Sequence, residues 1–522
     1  MTAERSGRGR EASPAARRLS LFGYFVGAGL GTVFLSSTLS TGMWVIAAAL
    51  LTLLHAARPW ARSDRPARRA IGVTAWAASF ALHALWVYLS IAWAGVLAWS
   101  VPWWGYALVA TAAAGVLATA PSARAGARVP VALPLGLWIA LCLRGWHVEE
   151  SVVRCDDYLA TVRDPAVRVI APTSRRLPRC APGERVAVRR FPRIILEASD
   201  GERLIVTTQP AISVDGERMI VTTRTADTDP KTYDPDARFT GSVCEVRPGR
   251  SDDPRCFGTG KAQGLVESAA LDRIFVGNWG HFPGGVRGQV LAFSRRAPLT
   301  PLGSAQTPQM LGDFFYDPDA DRLYGLTDEG GEIIPIVAST MAREPSVPAP
   351  LFGPGATRYD GARHEGILCV GSGPHRMGGR PYMAVAVRGA PLALRPLGGD
   401  DPLAWVTMSW GCDLDVTARR AYVAVPNLGL LATLDYDSGR VLRRDFVGFN
   451  LRSVTLDRAR RRVYLTDFLG GSVSAVDLAT GREVRRWRTG RFARSVTLSR
   501  DGASLLVAAN VGVVSIRLEP PP

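Results

Sequence analysis

The sequence predicts two parts of different class: an N-terminal all-α transmembrane bundle of about five spans, then an all-β seven-bladed β-propeller. Three observations carry this. Residues 21–54 and 70–120 contain no Asp, Glu, Lys or Arg, and each stretch is longer than one span needs. From Gly411 to Leu518 the chain repeats at a step of 42 residues, and periods of that length built from short apolar runs and Gly/Asp turns belong to stacked β units. Six of the seven cysteines follow the last apolar stretch, as in a chain whose C-terminal part reaches an oxidising compartment.

Residues 1–20, rich in Arg, Ser and Ala, read as a disordered cytoplasmic tail. Residues 21–146 form the expected transmembrane domain. The polar run Ser36–Gly42 splits the first apolar stretch into a helical hairpin, Val101–Gly105 splits the second, and Val129–Leu143 gives a short fifth span. With the N-terminus inside, the Arg-rich segments Arg58–Arg69 and Arg124–Arg128 stay inside, and Trp99, Trp103 and Trp104 form an outer aromatic belt. Five spans then deliver residue 147 onward to the periplasmic or extracellular side. Gly23, Gly27 and Gly31 permit close helix contact on the first span, and His83 is the titratable side chain deep in a span.

The formal net charge of +16 suggests nucleic acid until it is partitioned. Thirteen Arg against three acidic residues, +10, lie before Trp146, beside the apolar stretches, which leaves the other +6 of the +16 for the rest of the chain. The charge therefore speaks for orientation in a lipid bilayer and against nucleic acid as a partner.

Residues 147–201 read as a juxtamembrane, cysteine-containing linker, and residues 202–522 as the propeller. Six cysteines allow 15 pairings; pairing neighbours, 155–180, 244–256 and 369–412, is the simplest. No CxxC pattern suggests zinc. Within the repeat, Tyr422, Tyr464 and Leu506 hold one place, Leu414, Leu456 and Leu498 another, and Gly439 and Gly481 a turn. Traced backward, the second strands of the units centre near Ile220, Phe275, Tyr324, Leu368, Tyr422, Tyr464 and Leu506. Asp215-Gly216 and Asp501-Gly502 are matching hairpin signals. The last unit lacks one strand, and Glu202–Thr208 is expected to supply it, closing the ring and removing free sheet edges.

The segment Val463-Tyr-Leu-Thr-Asp … Gly471-Ser-Val-Ser-Ala-Val-Asp-Leu-Ala-Thr-Gly-Arg … Ser495-Val-Thr-Leu-Ser-Arg-Asp-Gly resembles the YVTN-type β-propeller repeat over Asp413–Leu518. It departs from that pattern at Arg458 and Arg500, where the family often has Pro. The resemblance implies a bladed ring of the kind used by binding proteins and by some lactonases and lyases, and it selects none of them.

Candidate site residues converge on one rim, where loops into the first strands meet loops joining second and third strands. Arg452 and Arg494 occupy one repeat position, Trp410 the same position a blade earlier, and Arg358 is assigned to the same series. His281 and His375 lie in the two long loops. Together these six residues predict a binding surface for a protein partner or a small anionic ligand, since Arg recognises anions by charge-assisted bonds; solvated loop Arg is the plainer alternative. No cofactor is required by this reading. The competing reading is a divalent-metal enzyme, lactonase- or lyase-like, with His281, His364, Glu365 and His375 as the metal or acid–base cluster. Asp317–Asp321 resembles the start of a calcium loop but lacks its Gly and distal Glu, so it reads as a turn.

Overall fold

A computed structural model describes residue 60, residues 63–75 and most of residues 152–521; the largest omitted stretches are 198–202, 220–241, 248–254, 280–287, 371–381 and 400–408. The chain divides into two units, Met1–Val148 and Glu149–Pro522.

In the first unit the described residues include one helix over 66–75. Among the described residues no helix is long and apolar enough to cross a membrane. A crossing needs about 20 residues, so the described residues do not support the all-α five-span bundle, and the fold class they show is the seven-bladed β-propeller. The remaining expected spans, with Gly23, Gly27, Gly31 and His83, lie outside the described residues.

The second unit is a ring of seven antiparallel sheets. Blade one comprises Arg190–Glu197, Leu204–Pro210, Ser242–Val246 and Arg255–Gly258. Blade two comprises Lys261–Ser268, Arg273–Trp279, Gly288–Ser294 and Pro301–Thr307. Blade three has Leu311–Asp317, Arg322–Thr327 and Glu332–Val337, with its outer edge broken into Ala342–Arg343 and Val347–Pro348. Pro345 lies in that break and cannot donate to a ladder. Blade four is Pro354–Asp360, Glu365–Val370, Tyr382–Val387 and Leu392–Pro396. Blade five is Gly411–Asp415, Arg420–Val425, Leu430–Asp435 and Val441–Phe446. Blade six is Leu451–Asp457, Arg462–Asp467, Ser472–Asp477 and Glu483–Arg488. Blade seven contributes Ser495–Leu498, Ser504–Ala509 and Gly512–Arg517. The first strands touch one another in cyclic order and form the innermost wall.

The missing strand of blade seven is Val167–Pro172, which pairs antiparallel with Gly512–Arg517, Val167 opposite Ile516 and Pro172 opposite Gly512. This corrects the expectation that Glu202–Thr208 closes the ring: Leu204–Pro210 is instead the second strand of blade one, pairing with Arg190–Glu197. The placement of a second strand at Ile220 is corrected with it, and Ile220 itself lies outside the described residues. The Asp215-Gly216 signal does mark a hairpin, but a separate one, Val214 against Met219, inserted between the second and third strands of blade one. The segment read as a linker thus supplies two blade strands and a clasp. Its helix Cys155–Val162 buries Cys155, Tyr158 and Thr161 on one face, spacing that fits one stripe of a helix. That face packs into the cluster holding Tyr464, Trp487 and Val514 of blades six and seven.

The core lies between blades. Phe315 and Tyr324 of blade three pack with Leu368 and Val385 of blade four. Tyr422 of blade five packs with Val454 and Leu465 of blade six, and Ile195 and Val206 of blade one with Leu506 and Val513 of blade seven. No blade buries its faces alone, the arrangement that makes repeated units mutually dependent. The 42-residue step is exact in register: Tyr422, Tyr464 and Leu506 stand opposite Asp413, Thr455 and Thr497.

The turns into the second strands also repeat. Asp272, Asp321, His364, Arg419 and Arg461 all have φ between 51° and 53°. The carbonyl of each accepts an N–H from the end of the third strand of its blade or the residue after it, donated by Arg295, Ala338, Val387, Tyr436 and Leu478. Three disulfides are present, Cys155–Cys180, Cys244–Cys256 and Cys369–Cys412, matching the neighbour pairing. The first brackets the ring-closing strand, the second joins outer strands of blade one, and the third ties blade four to blade five.

Candidate functional site

Each first strand runs away from one rim and each second strand returns to it. On that rim, over blades five to seven, side chains form a stack. The Arg452 guanidinium lies over the Trp410 ring at 4.2 Å and over Phe468 at 4.8 Å, and the Arg494 guanidinium lies over Phe468 at 5.0 Å. Phe468 meets Phe492 edge-on at 5.3 Å. Cations on aromatic faces are held by the ring quadrupole, more strongly where water is excluded.

The backbone beneath explains why these residues meet. Gly411, next to Trp410, sits so close to blade six that a Cβ would lie 2.5 Å from the Arg452 carbonyl oxygen. Asn450 and Phe492, one repeat apart, share a left-handed backbone with φ 60° and 58°. Main-chain bonds then run along the rim from blade to blade. Asn450 donates to Pro426 O at 3.2 Å, Phe468 to Asn450 O at 3.0 Å, Phe492 to Phe468 O at 2.6 Å, and Asn510 to Arg491 O at 2.9 Å. The Thr173 hydroxyl ends the series on Asn510 O at 2.7 Å, so the strand that closes the ring is fastened to the same rim.

The structure therefore brings Trp410, Arg452 and Arg494 together through Phe468. Arg494 is 6 % exposed, so it belongs to the support of this surface rather than to its outer layer. Arg358 does not share their position. It lies two residues before the end of Pro354–Asp360, whereas Arg452 lies five before the end of Leu451–Asp457. Arg358 Nε faces Asp413 at 3.8 Å. The expected arginine ring around one anion is corrected accordingly. His281 and His375 lie outside the described residues.

Of the metal alternative's four residues, His364 and Glu365 stand at the start of Glu365–Val370, and His281 and His375 lie outside the described residues. His364 instead faces Asp317 and Asp319, and Glu365 receives Arg419 Nη1 at 2.5 Å. Among the described residues no group of three or more His, Cys, Asp and Glu is placed to hold a metal ion. Asp317 is an Asx-turn residue: its Oδ1 accepts N–H bonds from Asp319 and Ala320, both at 2.9 Å, and its Oδ2 accepts the Tyr359 hydroxyl.

The sequence reading missed the carboxylates of the inner wall. Asp313 accepts N–H bonds from Phe314 and, across the blade boundary, from Thr357, both at 2.8 Å. Asp413 does the same with Leu414 and, one blade on, Leu456, both at 2.8 Å. Desolvation pushes Asp313 up to about 7, against its N–H bonds and the Arg358 charge. Burial likewise raises Asp413, with Arg358 opposing. Phe468 was missed too, although it shares the 42-residue ruler with Pro426 and Asn510.

The fold and rim define a seven-bladed β-propeller. No protein-family model matches the chain, and no curated protein matches it by sequence. Among solved structures the chain is similar to a Kuenenia stuttgartiensis hydrazine synthase chain, with 12% identity, TM-score 0.46, and coverage of 63% of this chain and 96% of that one. It is also similar to the WD40 repeats of RRP9, with 10% identity, TM-score 0.47 and coverage of 68% and 97%. U3-55K matches at 10% identity, TM-score 0.46 and coverage of 67% and 98%.

Proposed function

We propose that the propeller is a protein-interaction module whose contact surface is the rim of blades five to seven, centred on Trp410 and Arg452. The observation that carries this reading is the Trp410–Arg452–Phe468–Arg494 stack, held in place by main-chain bonds across three blades. Trp and Arg are the residues on which interface energy concentrates, and a pre-ordered side chain loses little entropy on binding. Kinship with the YVTN-type repeat is part of the proposal, supported by the register shared by blades five to seven. So is residence in an oxidising compartment, supported by three disulfides.

Affinity capture from extracts of the native host tests this, comparing the native chain with a Trp410→Ala/Arg452→Ala double variant of unchanged circular dichroism. The expected result is a defined associated protein that the variant loses. Equal recovery by both chains removes the rim from the proposal. A small anion as ligand would show instead as binding of inorganic phosphate or sulfate that Arg452→Ala abolishes.

A further inference from the structure

On the face opposite that rim, His364 spans two carboxylates of the neighbouring blade. Its Nδ1 lies 3.0 Å from Asp317 Oδ2 and its Nε2 lies 3.1 Å from Asp319 Oδ2. Neutral imidazole carries one N–H, so it can donate to only one of two acceptors; the imidazolium donates to both. The geometry is therefore that of the charged ring. His364 is the turn residue just before blade four's second strand, whereas both aspartates belong to the first turn of blade three.

We propose that His364 is a pH-sensitive clasp between blades three and four, closed on both arms while the ring is protonated and reduced to one arm when it loses its proton. The groups around it are accounted for. Asp317, fully enclosed, is held by Tyr359 and by two backbone N–H groups besides His364. Asp319 is 74 % exposed and faces Nε2. Asp321 is taken up by Ser339, Arg363 by Asp360 at 3.4 Å, and Glu365 by Arg419. The hydrogen bond to Asp317, and then the charges of Asp317 and Asp319, hold the His364 ring above its ordinary value against desolvation. Blades four and five, by contrast, are joined by the Cys369–Cys412 disulfide and by Tyr436, whose hydroxyl donates to Gly366 O at 2.8 Å. Neither link titrates near neutrality, so the clasp places pH sensitivity at the boundary of blades three and four.

The sign follows from linkage. A histidine raised in the folded state stabilises fully below its unfolded value of about 6.5, and that contribution is lost as pH rises through the folded value. The test is a pH titration of the full chain labelled with 13C/15N-histidine, assigning the ring by its loss in His364→Asn. The expected result is a His364 ring that titrates from the doubly protonated form with a midpoint above about 6.5, a midpoint that falls in Asp319→Asn. Thermal unfolding should separate the native chain from His364→Asn at low pH and converge at high pH. A midpoint at or below the ordinary value, or one that Asp319→Asn leaves unchanged, overturns the clasp.

Discussion

The Arg452 guanidinium lies over the ring of Trp410, the residue before the innermost strand of blade five, at 4.2 Å. It also lies over Phe468 at 4.8 Å. Arg452 thus meets two aromatic rings, and Arg494 meets one of them one blade on. The two arginines differ in enclosure, and so should their variants. Arg494→Ala removes a side chain only 6 % exposed and is expected to cost about 1–2 kcal/mol in packing and cation–π contact. Arg452→Ala should cost less, about 0.5–1 kcal/mol. Chemical denaturation of the two variants checks the order.

Gly411 is the close-approach position beneath the stack. A Cβ there would lie within 3 Å of three backbone atoms of Arg452, Ser453 and Val454, none of which can rotate away. Gly411→Ala is expected to destabilise by about 1–3 kcal/mol, the range for overpacking. It should also pull Trp410 off Arg452, read as a change in near-ultraviolet circular dichroism that Arg452→Ala reproduces.

Ring closure depends on a strand drawn from far outside the repeat. The Cys155–Cys180 bridge encloses Val167–Pro172 within a sequence separation of 25. Paired Cys155→Ser and Cys180→Ser replacement is expected to cost about 2–4 kcal/mol, with earliest loss of amide protection in Gly512–Arg517. Hydrogen exchange followed by mass spectrometry checks both the size and the place of the effect.

Asp313 supplies a second pH dependence of opposite origin to His364. Its folded value, about 7, lies above the ordinary carboxylate value of about 3.9. Between those values the folded chain holds a proton that the unfolded chain has released, so this residue makes stability fall as pH rises from about 4 to about 7. Asp313→Asn is expected to flatten that part of the stability profile, measured by thermal unfolding at closely spaced pH values.

The repeat was legible because blades five to seven keep one length: 42 residues separate Tyr422, Tyr464 and Leu506, and the ladder register preserves that spacing. The same ruler gave Arg452 and Arg494 one repeat position, and both guanidiniums lie over the Phe468 ring. It failed at blade one, where the inserted hairpin Val214–Met219 offered a stronger turn signal than the true second strand, Leu204–Pro210. Ring closure was illegible for a related reason. Val167–Pro172 pairs with residues about 345 positions later, and local periodicity carries no information on such a contact. The apolar N-terminal stretches predicted five spans from low charge and length alone, and among the described residues no helix is long and apolar enough to be one.

The central claim is that the rim of blades five to seven is the binding surface. In-cell photo-crosslinking tests it most directly, with a photoreactive residue placed at Trp410 on the rim, at Arg363 on the opposite face, and at Leu442 on the outer edge of blade five. One discrete heavier adduct is expected from position 410 and none from 363 or 442. An adduct from 363 or 442 with none from 410 would contradict it.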